Sequence, residues 1–435
     1  MKQFFNPKSV ALIGATDRKK SVGRALSLNI LKGSQKVYFV NPNKDKIFNK
    51  NCFNKFSDIK DKVDLAIIAV PAQIVIDIVK DIIKKGVGGV IIISAGFKEV
   101  GNNKRQNKLS EILAKSDIDF IGPNSLGVIT PGVFNGSFAP DTPEKGSIAF
   151  LSQSGALVDS VIDQSFLKDY GFSHLVSYGN GADLNLCDFL DFLDGDKKTK
   201  SIAIYLESLK NGRKFIKKAQ KIKTPIVVLK GGQTRSGSKA ANSHTGSLAG
   251  KSQIYSAGFK KAGIFEVKSV DDLFISARAL SLQPLFKGKL GVVTNGGAVG
   301  VMAADWADKK DIKLAKINNK IKQKIKKYFN KNVNVQNPLD ILGDALAKDY
   351  KKASELMLSI SDALAVFFTP QMMTDIKKNS DMLVNLNKKF PKKTIVVGLV
   401  GGKNVLKGSN VLKENNIPYF FSPKNVILAL KALKK

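Results

Sequence analysis

The sequence predicts an α/β protein made of three consecutive doubly wound domains. Short runs of apolar, often β-branched residues recur along the 435-residue chain, and helical patterns separate them. The runs are continuously apolar instead of alternating, which is typical of parallel strands buried on both faces. Three such series follow one another, and each opens with a strand, a glycine-rich turn and a helix.

The first series predicts a doubly wound domain over residues 1–131. Helical patterns occupy 73–85 and 104–115, between apolar runs that each end at a glycine, asparagine or proline. The stretch 132–146 contains Gly, Pro and Asn without any period, and it predicts a linker. The predicted strands of this series are 9–16, 36–42, 63–71, 89–96 and 118–124.

The second and third series, 146–283 and 288–435, resemble copies of one another. Each contains a strand that ends in Gly-Gly, and each closes with a short strand, a serine and an apolar helix. The closing serines, Ser269 and Ser422, are 153 residues apart, about the length of one domain. The pattern predicts a duplicated flavodoxin-like domain. Its strands are predicted at 147–155, 174–181, 201–209, 224–232, 290–300, 364–370 and 394–402.

Composition predicts a soluble cytoplasmic protein with neither a membrane segment nor a signal peptide. No apolar run reaches about 18 residues, and the N-terminus enters a strand pattern almost at once. Cys52 and Cys187 lack metal or redox spacing and fit a reducing compartment. The net charge of +34 comes from lysines dispersed along the chain, with only six arginines. This pattern disfavours a nucleic-acid reader and favours a compositional bias, with affinity for anionic ligands as the alternative.

The glycine-rich turn of each series is a candidate anion site. Helix N-termini offer free N–H groups, and glycine lets an anion approach them, although a tight turn without a ligand is equally common. The first turn, from Gly14 to Gly23, is longer than G-x-G-x-x-G. The second strand ends at Asn41-Pro42 instead of the acidic residue that holds a ribose. NAD is therefore disfavoured, and a nucleotide with more phosphate fits better.

His244 and Glu207 predict a phosphoryl-transfer site. His244 lies in "ANSHTGSLAG", where small residues leave the imidazole uncovered, whereas His174 precedes a strand and is interpreted as structural. Glu207 ends a predicted strand, so both residues can reach the crevice at the carboxyl edge of the sheet. A carboxylate favours the protonated or phosphorylated imidazole, which suggests a phosphohistidine. No second His or Cys lies near, so no metal site is predicted.

These motifs carry a resemblance to a known family. "SVALIGAT", "IGPNSLGV", "AFLSQSGALV", "YLESLKNGRKF" and "SHTGSLAG" are similar to the α subunit of ADP-forming acyl-CoA (acetate–CoA) ligases, in the succinyl-CoA synthetase superfamily. The similarity runs nearly end to end. It implies an acid–thiol ligase that reversibly converts acyl-CoA, ADP and phosphate to acid, CoA and ATP, through an acyl phosphate and a phosphohistidine at His244.

The resemblance also assigns residues to roles. Glu207 matches the carboxylate that steadies the imidazole, and Ser154 and Gly155 match the helix N-terminus that holds the phosphoryl group. The first domain matches a Rossmann-like CoA-binding domain, and Gly122, Pro123 and Asn124 match a loop near the thioester. The other matched CoA-binding positions are Gly14, Thr16, Ser21, Val22, Gly23, Val70, Pro71, Ser94 and Gly96.

The resemblance implies a partner. In the superfamily ADP or ATP, with Mg²⁺, binds an ATP-grasp domain, and no such pattern occurs before Lys435. A β subunit and a hetero-oligomer are therefore expected. The alternative is a non-catalytic CoA-binding or regulatory protein of the same fold. The sequence leaves open the acid, the choice between ADP and GDP, the stoichiometry and the reason for the many lysines.

Overall fold

The computed structural model describes residues 1–239, 252–329 and 333–435 of the chain. These residues form two compact units, Met1–Lys268 and Ser269–Lys435. The first unit contains two seven-stranded sheets, and the second contains one five-stranded sheet. The α/β class and the doubly wound organisation predicted from the apolar runs are confirmed.

The first sheet has the strand order β3-β4-β2-β1-β5-β6-β7, and every pair except β3–β4 is parallel. From β1 the chain first adds strands on one side of the sheet, beginning with β2, and then on the other side, beginning with β5. The strand order therefore reverses between β1 and β5, which creates a crevice at the carboxyl ends of these two strands. All five strands predicted for this series are present. The strands are β1 (Ser9–Ile13), β2 (Lys36–Val40), β3 (Lys46–Ile47), β4 (Lys50–Phe53), β5 (Leu65–Ile68), β6 (Gly89–Ile92) and β7 (Asp119–Ile121).

The helices of this part cover both faces of the sheet. The second long helix shows why they form, because Val75, Val79 and Ile82 recur at helical spacing and are fully buried. Two 3₁₀ turns, Phe56–Asp58 and Lys98–Val100, follow strand ends. The helices are α1 (Lys2–Phe5), α2 (Val22–Leu31), α3 (Ala72–Lys85) and α4 (Asn103–Leu113).

The second sheet has the order β14-β13-β12-β10-β11-β8-β9. Its five parallel strands follow the flavodoxin order, and an antiparallel hairpin is added at one edge. The hairpin corrects one expectation, because β9 is a fully buried strand inside the stretch 132–146 that was predicted as a linker. The strands are β8 (Gly127–Thr130), β9 (Phe134–Ser137), β10 (Lys145–Ser152), β11 (Phe172–Ser177), β12 (Ser201–Leu206), β13 (Ile226–Lys230) and β14 (Phe265–Val267).

The first two sheets share one hydrophobic core. A single buried cluster includes Phe4 and Ile91 from the first part and Phe189 from the second. The amide of Asn29 on α2 donates hydrogen bonds to the carbonyls of Ser137 (2.9 Å) and Ala139 (2.8 Å) after β9. The hairpin thus ties the two sheets into one unit. The helices around the second sheet are α5 (Gly155–Lys168), α6 (Leu186–Gly195), α7 (Gly212–Ala219) and α8 (Ser252–Lys261).

The unit Ser269–Lys435 has an all-parallel sheet in the order β16-β15-β17-β18-β19. This is the same order as that of the five parallel strands before it, as the predicted duplication requires. The strands are β15 (Leu290–Thr294), β16 (Leu339–Asp340), β17 (Ala363–Phe368), β18 (Thr394–Leu399) and β19 (Tyr419–Phe420).

The helices of this unit include one that the sequence places in the preceding series. Helix α9, within 146–283, lies in the unit Ser269–Lys435, where it packs against α15. Among the described residues, no helix is both long enough and apolar enough to span a bilayer. The helices are α9 (Val270–Leu282), α10 (Gly297–Lys309), α11 (Asn319–Phe329), α12 (Ala347–Leu358), α13 (Ile376–Lys389), α14 (Ser409–Glu414) and α15 (Pro423–Leu433), with a 3₁₀ turn at Val405–Gly408.

Candidate active site

The turn between β1 and α2 requires glycine at both of its ends. The N–H of Gly14 donates to the carbonyl of Val40 (3.0 Å), and Gly14 has a φ of +92°. A Cβ on Gly14 would lie 2.2 Å from the carbonyl oxygen of Ala69. A Cβ on Gly23 would lie 2.3 Å from the carbonyl oxygen of Gly14. The turn is therefore packed against the end of β5 and the start of α2 too closely for any larger residue at either glycine.

The N-terminus of α2 is capped by Ser21. Its hydroxyl accepts a hydrogen bond from the N–H of Arg24 (3.4 Å) and donates one to the carbonyl of Arg18 (2.7 Å). The hydroxyl of Thr16 accepts a bond from the N–H of Arg18 (3.2 Å). Val22, the first helical residue, keeps 43% of its surface exposed. Thr16, Ser21 and Val22 thus border one open helix end, and their contact with CoA stays a prediction.

The ends of the neighbouring strands meet beside this turn. The hydroxyl of Ser94 donates to the carbonyl of Val70 (2.6 Å), and the N–H of Asn124 donates to the carbonyl of Ser94 (2.9 Å). The Cβ position of Gly14 lies 3.0 Å from Cγ1 of Val70. Residues that the resemblance assigned to CoA from four different strand ends are therefore connected in space.

Pro71 and Gly96 complete this edge. Pro71 precedes α3. Gly96 has a φ of +109°, and its carbonyl accepts a bond from the guanidinium of Arg105 (2.5 Å). A Cβ on Gly96 would lie 2.8 Å from that of Ala72 at the start of α3, so glycine is required here.

Basic residues surround the first turn. Arg18, Lys19 and Lys20 are exposed. The ammonium of Lys44 lies 3.2 Å from the carboxylate of Asp17, and this bond lowers the pKa of that carboxyl. The basic residues around this turn thus outnumber Asp17, and the resulting excess of positive charge suits a ligand that carries several phosphates.

A second helix N-terminus opens at α5. The hydroxyl of Ser154 accepts a hydrogen bond from the N–H of Leu157 (3.3 Å), which caps the helix. A Cβ on Gly155 would lie 3.2 Å from that of Leu126, two residues after Asn124. The start of α5 is therefore packed against the chain that leaves the loop 122–124, called the CoA-side loop below.

Glu207 is held beside this helix end by a residue that the sequence did not single out. The side-chain oxygen of Gln153 accepts hydrogen bonds from the N–H groups of Glu207 (2.5 Å) and Ser208 (3.0 Å), and its amide donates to the carbonyl of Ser208 (3.2 Å). Glu207 is 7% exposed. The position of Gln153, directly before the capping Ser154, is the signal that could have identified it.

Burial and the charge of Glu207 together set the pKa values of several neighbouring side chains. Burial and the carboxylate of Glu207 raise the pKa of Tyr205 to about 12, and both also raise the pKa of Tyr178. Burial lowers the pKa of Lys230, which is 2% exposed, while Glu207 opposes this shift. The ammonium of Lys230 lies 4.8 Å from the ring of Tyr255. A buried carboxylate with a buried cation nearby is an arrangement typical of functional sites.

The two histidines differ in what the structure describes. His244, predicted as the phosphoryl carrier, lies in 240–251, outside the described residues. His174 is buried, and its ring nitrogens lie 3.1 Å from the hydroxyl of Thr130 and 3.1 Å from the carboxylate of Asp196. These bonds agree with a structural role for His174. The structure thus brings Glu207, Ser154 and Gly155 together, whereas contact of His244 with Glu207 stays a prediction.

Two protein families match the chain. Residues 8–131 match the family described as a CoA binding domain, and residues 145–280 match the succinyl-CoA ligase like flavodoxin domain. The second match covers Ser154, Gly155 and Glu207. The first covers every position that the resemblance assigned to CoA.

Individual proteins are similar over the whole chain. The α subunit of ADP-forming acetate–CoA ligase II of Pyrococcus furiosus is 36% identical, over 99% of this chain and 96% of the relative. ADP-forming acetate–CoA ligase I of Archaeoglobus fulgidus is 38% identical over the entire chain, which spans 63% of that longer protein. A solved dinucleotide forming acetyl-coenzyme A synthetase 1 of Candidatus Korarchaeum cryptofilum, in complex with phosphate and ADP, superposes with a TM-score of 0.93 at 36% identity, over 99% of this chain and 96% of the other.

Proposed function

The chain belongs to the family of ADP-forming acetate–CoA ligases, and we propose that it is the CoA-binding and phosphohistidine-carrying part of an NDP-forming acyl-CoA ligase. In this proposal residues 1–131 bind CoA, 146–283 carry the phosphohistidine, and 288–435 form a second flavodoxin-like domain. The substrates are a small carboxylic acid, CoA and phosphate.

The proposed reaction has three reversible steps. Phosphate attacks the carbonyl carbon of acyl-CoA, the C–S bond breaks, and CoA leaves as the thiol with an acyl phosphate as product. An imidazole nitrogen of His244 then attacks the phosphorus, and the carboxylic acid leaves as its carboxylate. Finally a terminal oxygen of ADP attacks the phosphohistidine, and ATP forms as the histidine is released.

The observation that carries the proposal is the hydrogen-bonded link from Gln153 to Glu207. The bond fixes the backbone of the buried residue Glu207 beside the turn that leads into α5 at Ser154 and Gly155. A carboxylate stabilises the cationic imidazole, and a helix N-terminus stabilises the phosphoryl oxygens. These are the two requirements of an imidazole that accepts and releases phosphate.

The CoA part of the proposal rests on the first turn. Gly14 and Gly23 keep the N-terminus of α2 open, and a surplus of cations surrounds it. The strand ends at Val70, Ser94 and Asn124 lead from this turn toward α5. A CoA whose phosphates lie at the turn would therefore extend its thiol end toward Ser154.

The nucleotide part of the reaction requires an ATP-grasp partner. We propose that ADP or ATP, with Mg²⁺, binds to that partner. The Pyrococcus furiosus relative is named an α subunit, and the Archaeoglobus fulgidus relative is longer than this chain, which supports a nucleotide-binding part on a second subunit or on further chain.

The test is reconstitution with an ATP-grasp partner, ATP, Mg²⁺, CoA and a panel of carboxylic acids. We expect acyl-CoA formation and an acid-labile phosphate on His244. His244→Ala should abolish both, and Glu207→Gln should reduce phosphohistidine formation at least tenfold. His174→Gln, at the only other histidine, is the matched control and should still be phosphorylated. Phosphorylation of the His244→Ala variant would refute the proposed mechanism.

A further inference from the structure

Two lysines lie near the loop that follows β11. Lys98 begins the 3₁₀ turn after β6, and Lys210 follows β12. The ammonium of Lys210 donates a hydrogen bond to the carbonyl of Gly181. The amide of Asn180 donates to the carboxylate of Glu99 (2.7 Å), the neighbour of Lys98. One loop therefore connects the two lysines.

The acidic groups near these lysines already accept hydrogen bonds from other groups. One carboxylate oxygen of Glu99 accepts bonds from the N–H groups of Gly96 (2.6 Å) and Phe97 (3.1 Å), and the other accepts from Asn180. The carboxylate of Asp183 accepts a bond from the N–H of Phe120 (2.9 Å). In 1–239, 252–329 and 333–435, the structure shows no ion pair within 4 Å for Lys98 or Lys210.

The two ammonium groups repel each other in a partly desolvated place. Burial lowers the pKa of Lys98, and the nearby charge of Lys210 lowers it further, against the opposing charge of Glu99. Burial also lowers the pKa of Lys210, and Asp183 opposes this. Lys210 is exposed, so its side chain stays accessible although its ammonium group is bonded to Gly181. An anion between these cations would relieve the repulsion.

The position of the pair connects it to the proposed reaction. Lys210 lies three residues beyond Glu207. The N–H of Asn180 donates to the carbonyl of Pro123 (2.9 Å), directly before Asn124. The loop with Asn180 and Gly181 therefore contacts both Pro123 and Lys210, which follows the end of β12 that Gln153 fixes.

We propose that Lys98 and Lys210 together bind an oxyanion, a phosphate or carboxylate group of a substrate. This inference rests on the proposed function, which supplies free phosphate, a carboxylate and the phosphates of CoA as sources. The pair acts as a positioning and specificity element, and nothing in the reaction requires it to exchange a proton. Binding should weaken as the pH rises through the lowered pKa values, because the neutral amines no longer attract the anion.

The test is calorimetric titration of the full chain with inorganic phosphate, acetate and CoA in separate experiments. We expect Lys98→Met and Lys210→Met each to weaken the binding of one of these ligands at least tenfold. The affected ligand identifies the source of the oxyanion. Lys210→Arg should stay within threefold of the wild type, and Lys104→Met, an exposed lysine on α4, should change nothing. Unchanged affinity for all three ligands in both Met variants would overturn the proposal.

Kinetics with the ATP-grasp partner separates the two proposals. If the wild-type chain forms no acyl-CoA, the proposed function fails, whatever the titrations show. If the wild type is active and both Met variants keep its KM values and affinities, only the lysine site fails. The expected result is a KM raised at least tenfold for the affected ligand, with kcat changed less than threefold. A lowered melting temperature with unchanged KM would assign the lysines a purely structural role.

Discussion

The side-chain oxygen of Gln153 accepts a hydrogen bond from the backbone N–H of Glu207 at 2.5 Å. Gln153 belongs to the turn after β10, and Glu207 follows β12, the neighbouring strand in the sheet. One side chain thus connects the turn that begins α5 to the backbone of the buried residue Glu207. Loss of this side chain should disturb both halves of the candidate site.

Gln153→Ala should lower both stability and activity. It removes the acceptor of two backbone N–H groups, and each unsatisfied group costs roughly 1–3 kcal/mol if it remains buried. We expect the free energy of unfolding, measured with urea, to fall by about 2 kcal/mol. Acyl-CoA formation should fall at least tenfold because Glu207 shifts. Gln164→Ala, on the helix α5 that follows this turn, is the control, and a Gln153→Ala enzyme with wild-type activity would contradict this role.

Ser154→Ala should weaken α5 and the phosphoryl site together. The hydroxyl caps the helix through the N–H of Leu157, and loss of such a cap costs about 1 kcal/mol of unfolding free energy. The rate of phosphohistidine formation should also fall, since the first turn of the helix frays at the place proposed to hold the phosphoryl group.

The matched control for this prediction is Ser160→Ala. Its exposed hydroxyl bonds to the carbonyl of Ala156 (3.0 Å) within the same helix, so it is not a cap. Equal losses of stability and phosphorylation rate in the two variants would show that Ser154 has no special role.

Gly23→Ala should abolish the tight β1–α2 turn. Its new Cβ would approach the carbonyl oxygen of Gly14 to 2.3 Å, so the backbone must move. Calorimetric titration should show CoA binding weakened at least tenfold. Gly195→Ala is the control, because a Cβ there meets nothing within 4 Å. Wild-type CoA affinity in Gly23→Ala would remove this turn from the CoA site.

His174 should make stability depend on pH. Burial lowers its pKa from the ordinary value of 6.5, and the carboxylate of Asp196 opposes this only in part. Below about pH 6.5 the unfolded chain therefore binds a proton that the folded chain does not. The free energy of unfolding should be fully retained above that pH and fall as the pH drops toward the lowered pKa.

The measurement is urea unfolding of the wild type and His174→Gln between about pH 7 and pH 5, a window that runs from just above the ordinary histidine pKa to well below it. For each protein the free energy of unfolding is plotted against pH. The difference between the two curves gives the contribution of His174, separate from the other groups that titrate in this range. We expect the variant curve to be flatter in this window. Parallel curves, or a wild type that gains stability on acidification relative to the variant, would contradict the assigned direction.

Local patterns were sufficient for most of the fold. The strands that open the three series, β1, β10 and β15, are apolar runs followed directly by glycine-rich turns, and both signals lie within a few residues of sequence. Strand β9 was missed because "FNGS" has no apolar period. It forms because β8 pairs with it in a hairpin, and its burial depends on contacts with α2.

The sequence by itself determined the order of strands, turns and helices, and with it the carboxyl-edge position of Glu207, Ser154 and the CoA-side residues. Edge positions follow from chain order because every parallel strand ends at the same side of its sheet. Only the tertiary structure decided which edge residues meet. The Gln153–Glu207 bond requires β10 and β12 to be neighbours although β11 lies between them in sequence. The proximity of Lys98 and Lys210 similarly depends on how two sheets pack together, which no local pattern encodes.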